Sequence, residues 1–257
     1  MVVQLSDLHL RDGEAGVAPA LRLQRVLDAV AELLPRPQAV LLSGDIVDSP
    51  SGEAYDQALR MLGGLALPLH AIPGNHDDRD MLRERFGPSP APSGAPVNFA
   101  VDCGALRLIG VDSVCPGRDG GALGEGQLDW LARALAEDPG RATLLALHHP
   151  PAMTGVGVMD AISLAAADRT ALEDLLAGCP QVKAITCGHA HTTMLTSFAG
   201  RPLIVCPSTN SPLRLDLRPR DDLPFEAAPR PIGFAVHALV EGRLLSHVQP
   251  VDQPSGR

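Results

Sequence analysis

Aromatic side chains are scarce in this 257-residue chain, at 3% of the sequence. Its core must therefore be aliphatic, and stacking surfaces for nucleic-acid bases are few. Lysine and arginine number 21 against 30 aspartates and glutamates, and the net charge of −9 disfavours electrostatic binding of a nucleic-acid polymer. The expected partners are small molecules and metal cations, because a cluster of divalent cations requires carboxylates around it.

The five cysteines are odd in number, and no two form a Cys-x-x-Cys pair. This pattern argues against both a disulfide framework and a thiolate zinc site. The sequence also lacks an apolar run of membrane-spanning length, and its start does not have the basic and apolar regions of a signal peptide. We therefore expect a cytoplasmic protein with no membrane partner, folded as one domain over residues 1–257.

Short apolar runs alternate with segments of helical period, which is typical of an α/β protein. Strands are expected at residues 2–5, 39–43, 65–72, 99–101, 106–111, 143–147, 182–187, 194–198, 203–206, 234–240 and 243–248. Helices are expected at residues 23–34, 53–62, 79–86, 125–137 and 168–177. The segments 87–96 and 213–231 are rich in proline, and we expect them to be irregular.

Aspartate, asparagine and histidine residues follow five of the expected strands. They are Asp7 and His9, Asp45, Asn75 and His76, His148, and His189 and His191. Ligands of α/β proteins bind beyond the carboxyl ends of the strands, so these side chains are expected at one rim. Imidazole with carboxylate and carboxamide oxygen suits Fe, Mn, Zn or Co. In Asp-x-His and His-x-His, alternate residues of an extended backbone point to the same side, where both can bind one ion.

In its order of motifs the chain resembles the calcineurin-like metallophosphoesterases. The motifs are Asp7-Leu8-His9, Gly44-Asp45 with Asp48, Gly74-Asn75-His76-Asp77, His148, and Gly188-His189-Ala190-His191. The residues that flank these motifs are similar to those of the bacterial class III cyclic-nucleotide phosphodiesterases and the related glycerophosphodiesterase. The resemblance implies a four-layer αββα sandwich of two mixed β-sheets flanked by helices, with a dinuclear metal site at the carboxyl ends of the strands. It also implies that strands at about 232–250 complete the second sheet.

Carried over by motif, the resemblance implies two divalent metal ions. One would be bound by Asp7, His9, Asp45 and His191, and the other by Asp45, Asn75, His148 and His189. His76 would face the substrate, and Asp48 would hydrogen-bond His76 and fix its tautomer. The role of His149 stays open, as does the identity of the metals.

The implied reaction is hydrolysis of a small phosphodiester by a hydroxide held between two cations. A 3′,5′-cyclic nucleotide is the first choice of substrate, and a glycerophosphodiester is the alternative. The sequence leaves open a phosphomonoesterase and a noncatalytic scaffold, whereas the acidic balance disfavours a nuclease. The segments 87–96, 150–160 and 213–231 are expected to border the substrate site. A homodimer is expected, because members of this branch often pair.

Overall fold

Residues 1–87, 90–218 and 226–252, the part of the chain that this computed structural model describes, form two β-sheets. The first sheet contains β1 (Val2–Leu5), β2 (Ala39–Leu42), β3 (Leu69–Ala71), β10 (Ile232–Val240) and β11 (Arg243–Val251). The second contains β4 (Phe99–Cys103), β5 (Leu106–Val111), β6 (Thr143–Leu147), β7 (Val182–Cys187), β8 (Met194–Phe198) and β9 (Arg201–Val205).

Both sheets are mixed. The order in the first is β11-β10-β1-β2-β3, in which β1, β2 and β3 run parallel and β10 runs antiparallel to β1. The order in the second is β4-β5-β6-β7-β9-β8, with antiparallel strands at both edges. The expectation that the C-terminal strands complete the second sheet is wrong: β10 pairs with β1, at Val3 and Val236 for example, and so extends the first sheet.

Six helices of the described residues cover the outer faces of the two sheets. They are α1 (Val17–Ala31), α2 (Gly52–Gly63), α3 (Arg79–Phe86), α4 (Gly124–Glu137), α5 (Gly157–Ala161) and α6 (Ala166–Ala177). Apolar residues of α1, α2 and α3 pack on the first sheet, and those of α4, α5 and α6 pack on the second. A third cluster, between the sheets, contains Val2 and Leu41 from the first sheet and Leu108 and Leu144 from the second. The four-layer sandwich is thereby confirmed.

Burial on both faces explains why the central strands are continuous apolar runs. In β1, Val3 and Leu5 face the helices, while Val2, on the opposite face of the strand, faces the other sheet. In β5, Ile109 and Val111 face the helices of the second sheet. Neither face meets water, so the sequence shows no polar alternation there.

Local signals placed most element boundaries within a few residues, and the exceptions are informative. Helix α1 begins at Val17, six residues before the first residue expected. The sequence pattern missed these first turns because they contain few core-facing residues. Strand β3 is limited to Leu69–Ala71, and the short helix α5 within residues 150–160 was not predicted. Residues 88–89 and 219–225 of the two proline-rich segments lie outside the described residues. Of the helices described, none is long and apolar enough to cross a membrane.

Candidate metal centre

The carboxyl ends of β1, β2 and β3 from the first sheet meet those of β6 and β7 from the second at one rim. Backbone bonds join neighbouring ends within each sheet: the Asp7 amide donates to the Gly44 carbonyl at 3.0 Å, and the Gly188 amide donates to the His148 carbonyl at 3.1 Å. Between the sheets, the His189 amide donates to Asp7 Oδ1 at 3.0 Å. The predicted ligands therefore converge, as the sequence indicated. Six of them are buried, and Asn75 is partly exposed.

Five of the seven predicted ligands have positive φ angles, a conformation that residues other than glycine rarely adopt. The angles are +54° at Asp7, +44° at His9, +52° at Asp45, +70° at His189 and +51° at His191. The extended backbone that we expected for Asp-x-His and His-x-His is therefore wrong. In the loops after β1, β2 and β7 the ligand side chains converge because the backbone turns through the left-handed region, and such strain is concentrated at functional sites.

Two glycines let the ligand loops approach one another closely. A Cβ atom on Gly44, whose φ is +100°, would lie 2.3 Å from the His148 Nδ1 atom. A Cβ atom on Gly74 would lie 2.1 Å from an Asp45 carboxylate oxygen. Any larger residue at either position would force the ligand loops apart, since real Cβ contacts are not this short.

One cluster of ligand atoms comprises those of Asp7, His9, Asp45 and His191, all within 4.8 Å of one another. The Nε2 atoms of His9 and His191 lie 2.9 Å apart. His191 Nε2 is 3.5 Å from Asp7 Oδ1, and His9 Nε2 is 3.7 Å from Asp45 Oδ2. These are the four residues predicted for the first metal.

The second set of predicted ligands meets at the other side of Asp45. His148 Nε2 lies 3.4 Å from Asp45 Oδ2 and 3.3 Å from Asn75 Oδ1. The His189 ring lies beside the His148 ring, with 5.0 Å between the ring centres. Asp45 Oδ2 thus faces histidines of both clusters, which is the position that a bridging ligand requires.

The hydrogen bonds of three histidines fix which ring nitrogen faces the centre. His148 Nδ1 lies 2.8 Å from the Ser43 carbonyl, His191 Nδ1 lies 2.8 Å from the Ser211 carbonyl, and His189 Nε2 lies 3.1 Å from the Ile162 carbonyl. A carbonyl oxygen only accepts, so these nitrogens donate. In the neutral rings the opposite nitrogens carry lone pairs, as in histidines that bind metal.

The lone pairs of His148 and His191 point toward carboxylate and amide oxygens, which are also acceptors. Acceptor groups only 3.3–3.7 Å apart in a buried site repel one another unless a proton or a cation lies between them. The buried Nε2 atoms of His9 and His191, only 2.9 Å apart, likewise require a proton or a cation beside them. The residues present therefore fit a pair of divalent cations.

The pKa values of the apoprotein show the same demand for positive charge. Burial lowers the pKa of His148, but the nearby Asp45 carboxylate outweighs it and the pKa rises to about 9. Burial raises the pKa of Asp45, but His148 and then His9 outweigh it, and the result is a pKa well below its usual value. In the absence of metal, a proton on His148 compensates the Asp45 charge, and a metal ion would replace that proton.

His76 and Asp48 are adjacent, although not through the contact that we expected. The Nδ1 atom of His76 donates to the backbone carbonyl of Asp48 at 2.8 Å, not to its carboxylate. The carboxylate lies 3.4 Å from His9 Nδ1 and 3.0 Å from the Arg11 guanidinium. Hydrogen bonding to His9 outweighs partial burial and lowers the pKa of Asp48 to about 2. The tautomer of His76 is thus fixed by backbone, which leaves its Nε2 atom toward the cleft.

His149 lies against the centre but its ring is fully engaged elsewhere. Its Nε2 atom donates to the Asp119 carbonyl at 3.0 Å, and its Nδ1 atom accepts from the Ser113 hydroxyl at 2.8 Å. Its ligand atoms cluster with those of His148 and His189, yet both nitrogens are occupied by hydrogen bonds. Burial, followed by repulsion from His148, lowers its pKa to about 3. His149 is therefore a neutral residue that supports the rings of the neighbouring histidines.

Asp77 has a structural role that the sequence did not reveal. Its buried carboxylate accepts from the amides of Ile46 and Gly74 and from the hydroxyl of Tyr55, at 3.2, 2.9 and 2.9 Å. It therefore fastens the loop of Asp45 to the loop of Asn75. The following helix is capped by Asp78, whose side chain accepts from the amides of Asp80 and Met81, and not by Asp77. Burial, followed by Asp45, raises the pKa of Asp77 to about 6.

A cleft of about 580 Å³ opens over the predicted ligands and His76. Its walls include Arg11 and Arg22, together with Met159 from the unpredicted helix α5. Asn210 and Ser211 complete one end, and no feature of the sequence had indicated them. A cavity of this size accommodates a small molecule.

The fold and the site define a four-layer α/β protein with a metal centre of histidine, aspartate and asparagine. Residues 1–193 match the model of the calcineurin-like phosphoesterase family, and the chain belongs to that family. It is similar to the "Probable cyclic nucleotide phosphodiesterase" of Rhodococcus erythropolis, with 36% identity over 216 residues, which are 81% of this chain and 70% of the relative.

Two further comparisons extend over nearly the whole chain. The "Probable glycerophosphodiester phosphodiesterase GpdQ" of Arcobacter nitrofigilis is 29% identical over 262 residues, covering 100% of this chain and 95% of the relative. The crystal structure of a dimetal phosphatase from Danio rerio superposes with a TM-score of 0.68 and 16% identity, over 97% of this chain and 95% of that one. The latter likeness supports the fold alone.

Proposed function

We propose that this protein is a metal-dependent phosphodiesterase that hydrolyses a 3′,5′-cyclic nucleotide. The observation that carries the proposal is the convergence of histidine lone pairs and carboxylate oxygens at one rim, below a cleft that holds His76. Relatives named as cyclic nucleotide phosphodiesterases support the substrate class. A glycerophosphodiester is the second candidate, because the relative that matches the full length of the chain has that name.

We assign the ligands of the two cations as the motifs indicated. Asp7, His9 and His191 would hold one cation, Asn75, His148 and His189 would hold the other, and Asp45 would contact both. When bound, the cations would supply positive charge for the phosphoryl oxygens and lower the pKa of a water molecule. The donor set suits Fe, Mn, Zn or Co, and elemental analysis of the purified protein tests both the metal and the expected two ions per chain.

His76 is assigned the proton transfer to the departing alkoxide. Its Nδ1 atom is engaged by the Asp48 carbonyl, so a second proton would reside on Nε2, on the side of the cleft. The backbone amide of His76 also donates to Asp45 Oδ1 at 2.9 Å, which holds His76 beside the carboxylate that would contact both cations. Asp48 would act on His9 and Arg11 rather than on His76, and so would orient a metal ligand. A positioned acid of this kind accelerates a reaction by about 10² to 10⁴.

The remaining proposals follow from the sequence and the size of the cleft. We propose a cytoplasmic protein of one domain that forms homodimers and does not bind a nucleic-acid polymer. Light scattering with chromatography tests the dimer. A gel-shift assay with duplex and single-stranded DNA tests the last proposal, which tight binding at physiological salt would contradict.

The function is tested with metal-reconstituted protein and a panel of cyclic AMP, cyclic GMP, glycerophosphoethanolamine, bis(p-nitrophenyl) phosphate and p-nitrophenyl phosphate. We expect the cyclic nucleotides to give the highest kcat/KM. His148→Asn should abolish activity and reduce bound metal, whereas His70→Asn, a histidine of β3 that packs on Phe99, is the matched control. A preference for the monoester would contradict a phosphodiesterase, and a preference for glycerophosphoethanolamine would favour the second candidate.

A further inference from the structure

A second arginine faces the cleft besides Arg11, and its charge is not neutralised. Arg11 pairs with the Asp48 carboxylate at 3.0 Å. Arg22, on α1, donates from Nη1 to the amide oxygen of Asn210 at 2.7 Å. Among the described residues, no carboxylate lies within ion-pair distance of Arg22. A half-buried cation in a ligand cleft without a counter-charge is a candidate for binding the ligand.

Arg22 is held rigidly and close to the metal centre. Its partner Asn210 is buried, and the backbone amide of Asn210 donates to the Ser208 hydroxyl. That hydroxyl in turn donates to the Asp7 carbonyl at 2.7 Å. The next residue, Ser211, accepts from His191 Nδ1 through its carbonyl. Because Asn210 occupies only Nη1, the edge formed by Nε and Nη2 has no partner among the described residues and is available for two parallel hydrogen bonds.

The surroundings of this guanidinium suit a flat, weakly polar group. Ala15, Ala18 and Pro19 line the cleft beside Arg22, and Val158, Met159 and Ile162 contribute apolar surface from the region of α5. Within the described part of the chain the lining contains no Phe, Tyr or Trp, so at this end of the cleft the sides of the ligand would meet aliphatic groups. The polar selection would then rest on the edge of the ligand.

The charges that line the cleft have opposite signs at its two ends. Besides Arg22, the Arg11–Asp48 ion pair and the predicted metal ligands, the charged residue in the lining is Asp119. Its backbone carbonyl accepts from His149, whose ring contacts that of His148. Asp119 is exposed, and its carboxylate makes no hydrogen bond or ion pair within the described residues, whereas Arg22 is anchored on a buried amide. A side chain already held by a hydrogen bond loses less entropy on binding a ligand than an unattached one. The Arg22 end of the cleft is therefore better suited to select the ligand.

We propose that Arg22 is the specificity-determining residue of the cleft and that it selects a purine whose edge presents two acceptors. Guanine presents O6 and N7, which match the two parallel donors of a guanidinium, whereas adenine replaces one acceptor by a donor. The inference rests on the proposed cyclic-nucleotide phosphodiesterase function, and it deepens that function by naming cyclic GMP as the favoured substrate. A cationic alcohol such as ethanolamine is disfavoured beside Arg22 by charge repulsion.

The experiment compares Arg22→Gln, Arg22→Lys and Asp119→Asn with Arg25→Gln. Arg25 lies on the same helix, is exposed and donates only to a distant backbone carbonyl at 3.5 Å, so it is the matched control. We expect the wild type to prefer cyclic GMP over cyclic AMP by about tenfold in kcat/KM. Arg22→Gln should remove this preference by raising the KM for cyclic GMP, with metal content unchanged, whereas Arg25→Gln should keep the preference and the hydrolysis of bis(p-nitrophenyl) phosphate. Arg22→Lys should also lose it, because an ammonium cannot form the two-bond contact.

Each alternative outcome is distinct. Equal loss on every substrate in Arg22→Gln would mean that Arg22 contacts the phosphoryl group, which contradicts the inference. If Asp119→Asn lost the preference for cyclic GMP and Arg22→Gln kept it, the nucleoside would bind at the Asp119 end of the cleft, which contradicts the inference. Equal wild-type activity on both cyclic nucleotides, unchanged in Arg22→Gln, overturns the role of Arg22 alone. Hydrolysis of the artificial diester without either cyclic nucleotide contradicts the proposed function, and the inference falls with it.

Discussion

Gln4 is a buried amide between the two sheets, and its hydrogen-bonding capacity is fully used. Its Nε2 atom donates to Ser43 Oγ at 2.8 Å and to the Cys187 carbonyl at 3.1 Å, while Oε1 accepts from Thr186 Oγ1 at 2.5 Å and from His237 Nε2 at 3.0 Å. Ser43 directly follows β2, which leads to Asp45, and Cys187 is the last residue of β7, which leads to His189. We predict that Gln4→Leu destabilises the protein by about 3 kcal/mol.

The magnitude follows from what each partner of Gln4 retains. Three partners keep another bond: Ser43 Oγ to the Leu5 carbonyl, Thr186 Oγ1 to the Ile204 carbonyl, and the Cys187 carbonyl to the Cys206 amide. Losing these three bonds costs about 1 kcal/mol each, and leaving the His237 donor unpaired costs about 1–3 kcal/mol. Burial of the leucine side chain returns about 1–2 kcal/mol.

A double-mutant cycle with His237→Leu separates the unpaired donor from the other losses. The double variant no longer has a buried N–H without a partner, so the two substitutions should cost about 1–3 kcal/mol less together than the sum of the single variants. Urea unfolding of all four proteins at one saturating metal concentration measures this, because bound metal also adds stability. Additivity within about 0.5 kcal/mol would refute the reasoning.

Three further predictions concern the metal centre and His237. His76→Ala should lower kcat by about 10²-fold or more with unchanged metal content, and loss of both metals in this variant would contradict its assignment. Removal of metal by a chelator should lower the Tm of the wild type, and adding the metal back should restore it; an unchanged Tm would argue against a buried site. Burial lowers the pKa of His237 from its ordinary 6.5 to about 4, so its contribution to stability is complete above pH 6.5 and falls by about 3 kcal/mol as the pH drops to 4, because in this range the unfolded chain binds a proton that the folded chain largely excludes. Urea unfolding against pH should show a smaller loss for His237→Leu, and parallel curves would contradict this.

The motifs and most strands were predictable because their signals are local. Strands such as β6 and β7 are apolar on both faces, and the helix at Arg79–Phe86 begins at a capping Asp78 that is legible in the sequence. The seven predicted ligands follow strand ends, and parallel strands bring such ends to one rim. The sequence thus determined the layers of the fold and the composition of the centre.

Other features depend on residues far apart in the chain, and local patterns do not carry them. The contacts of His149 depend on Ser113, 36 residues away, whose hydroxyl lies 2.8 Å from its Nδ1 atom. The pairing of β10 with β1 joins the two ends of the chain, and the bond of Arg22 to Asn210 spans 188 residues.

The conformation of the ligand loops was likewise beyond the sequence. Asp-x-His and His-x-His give the same alternation in a strand as in the left-handed turns found here, so the motif does not specify its own backbone. The sequence by itself determined which chemical groups form the centre. Only the tertiary structure decided their tautomers and the charges around the cleft, because hydrogen bonds from distant loops set both.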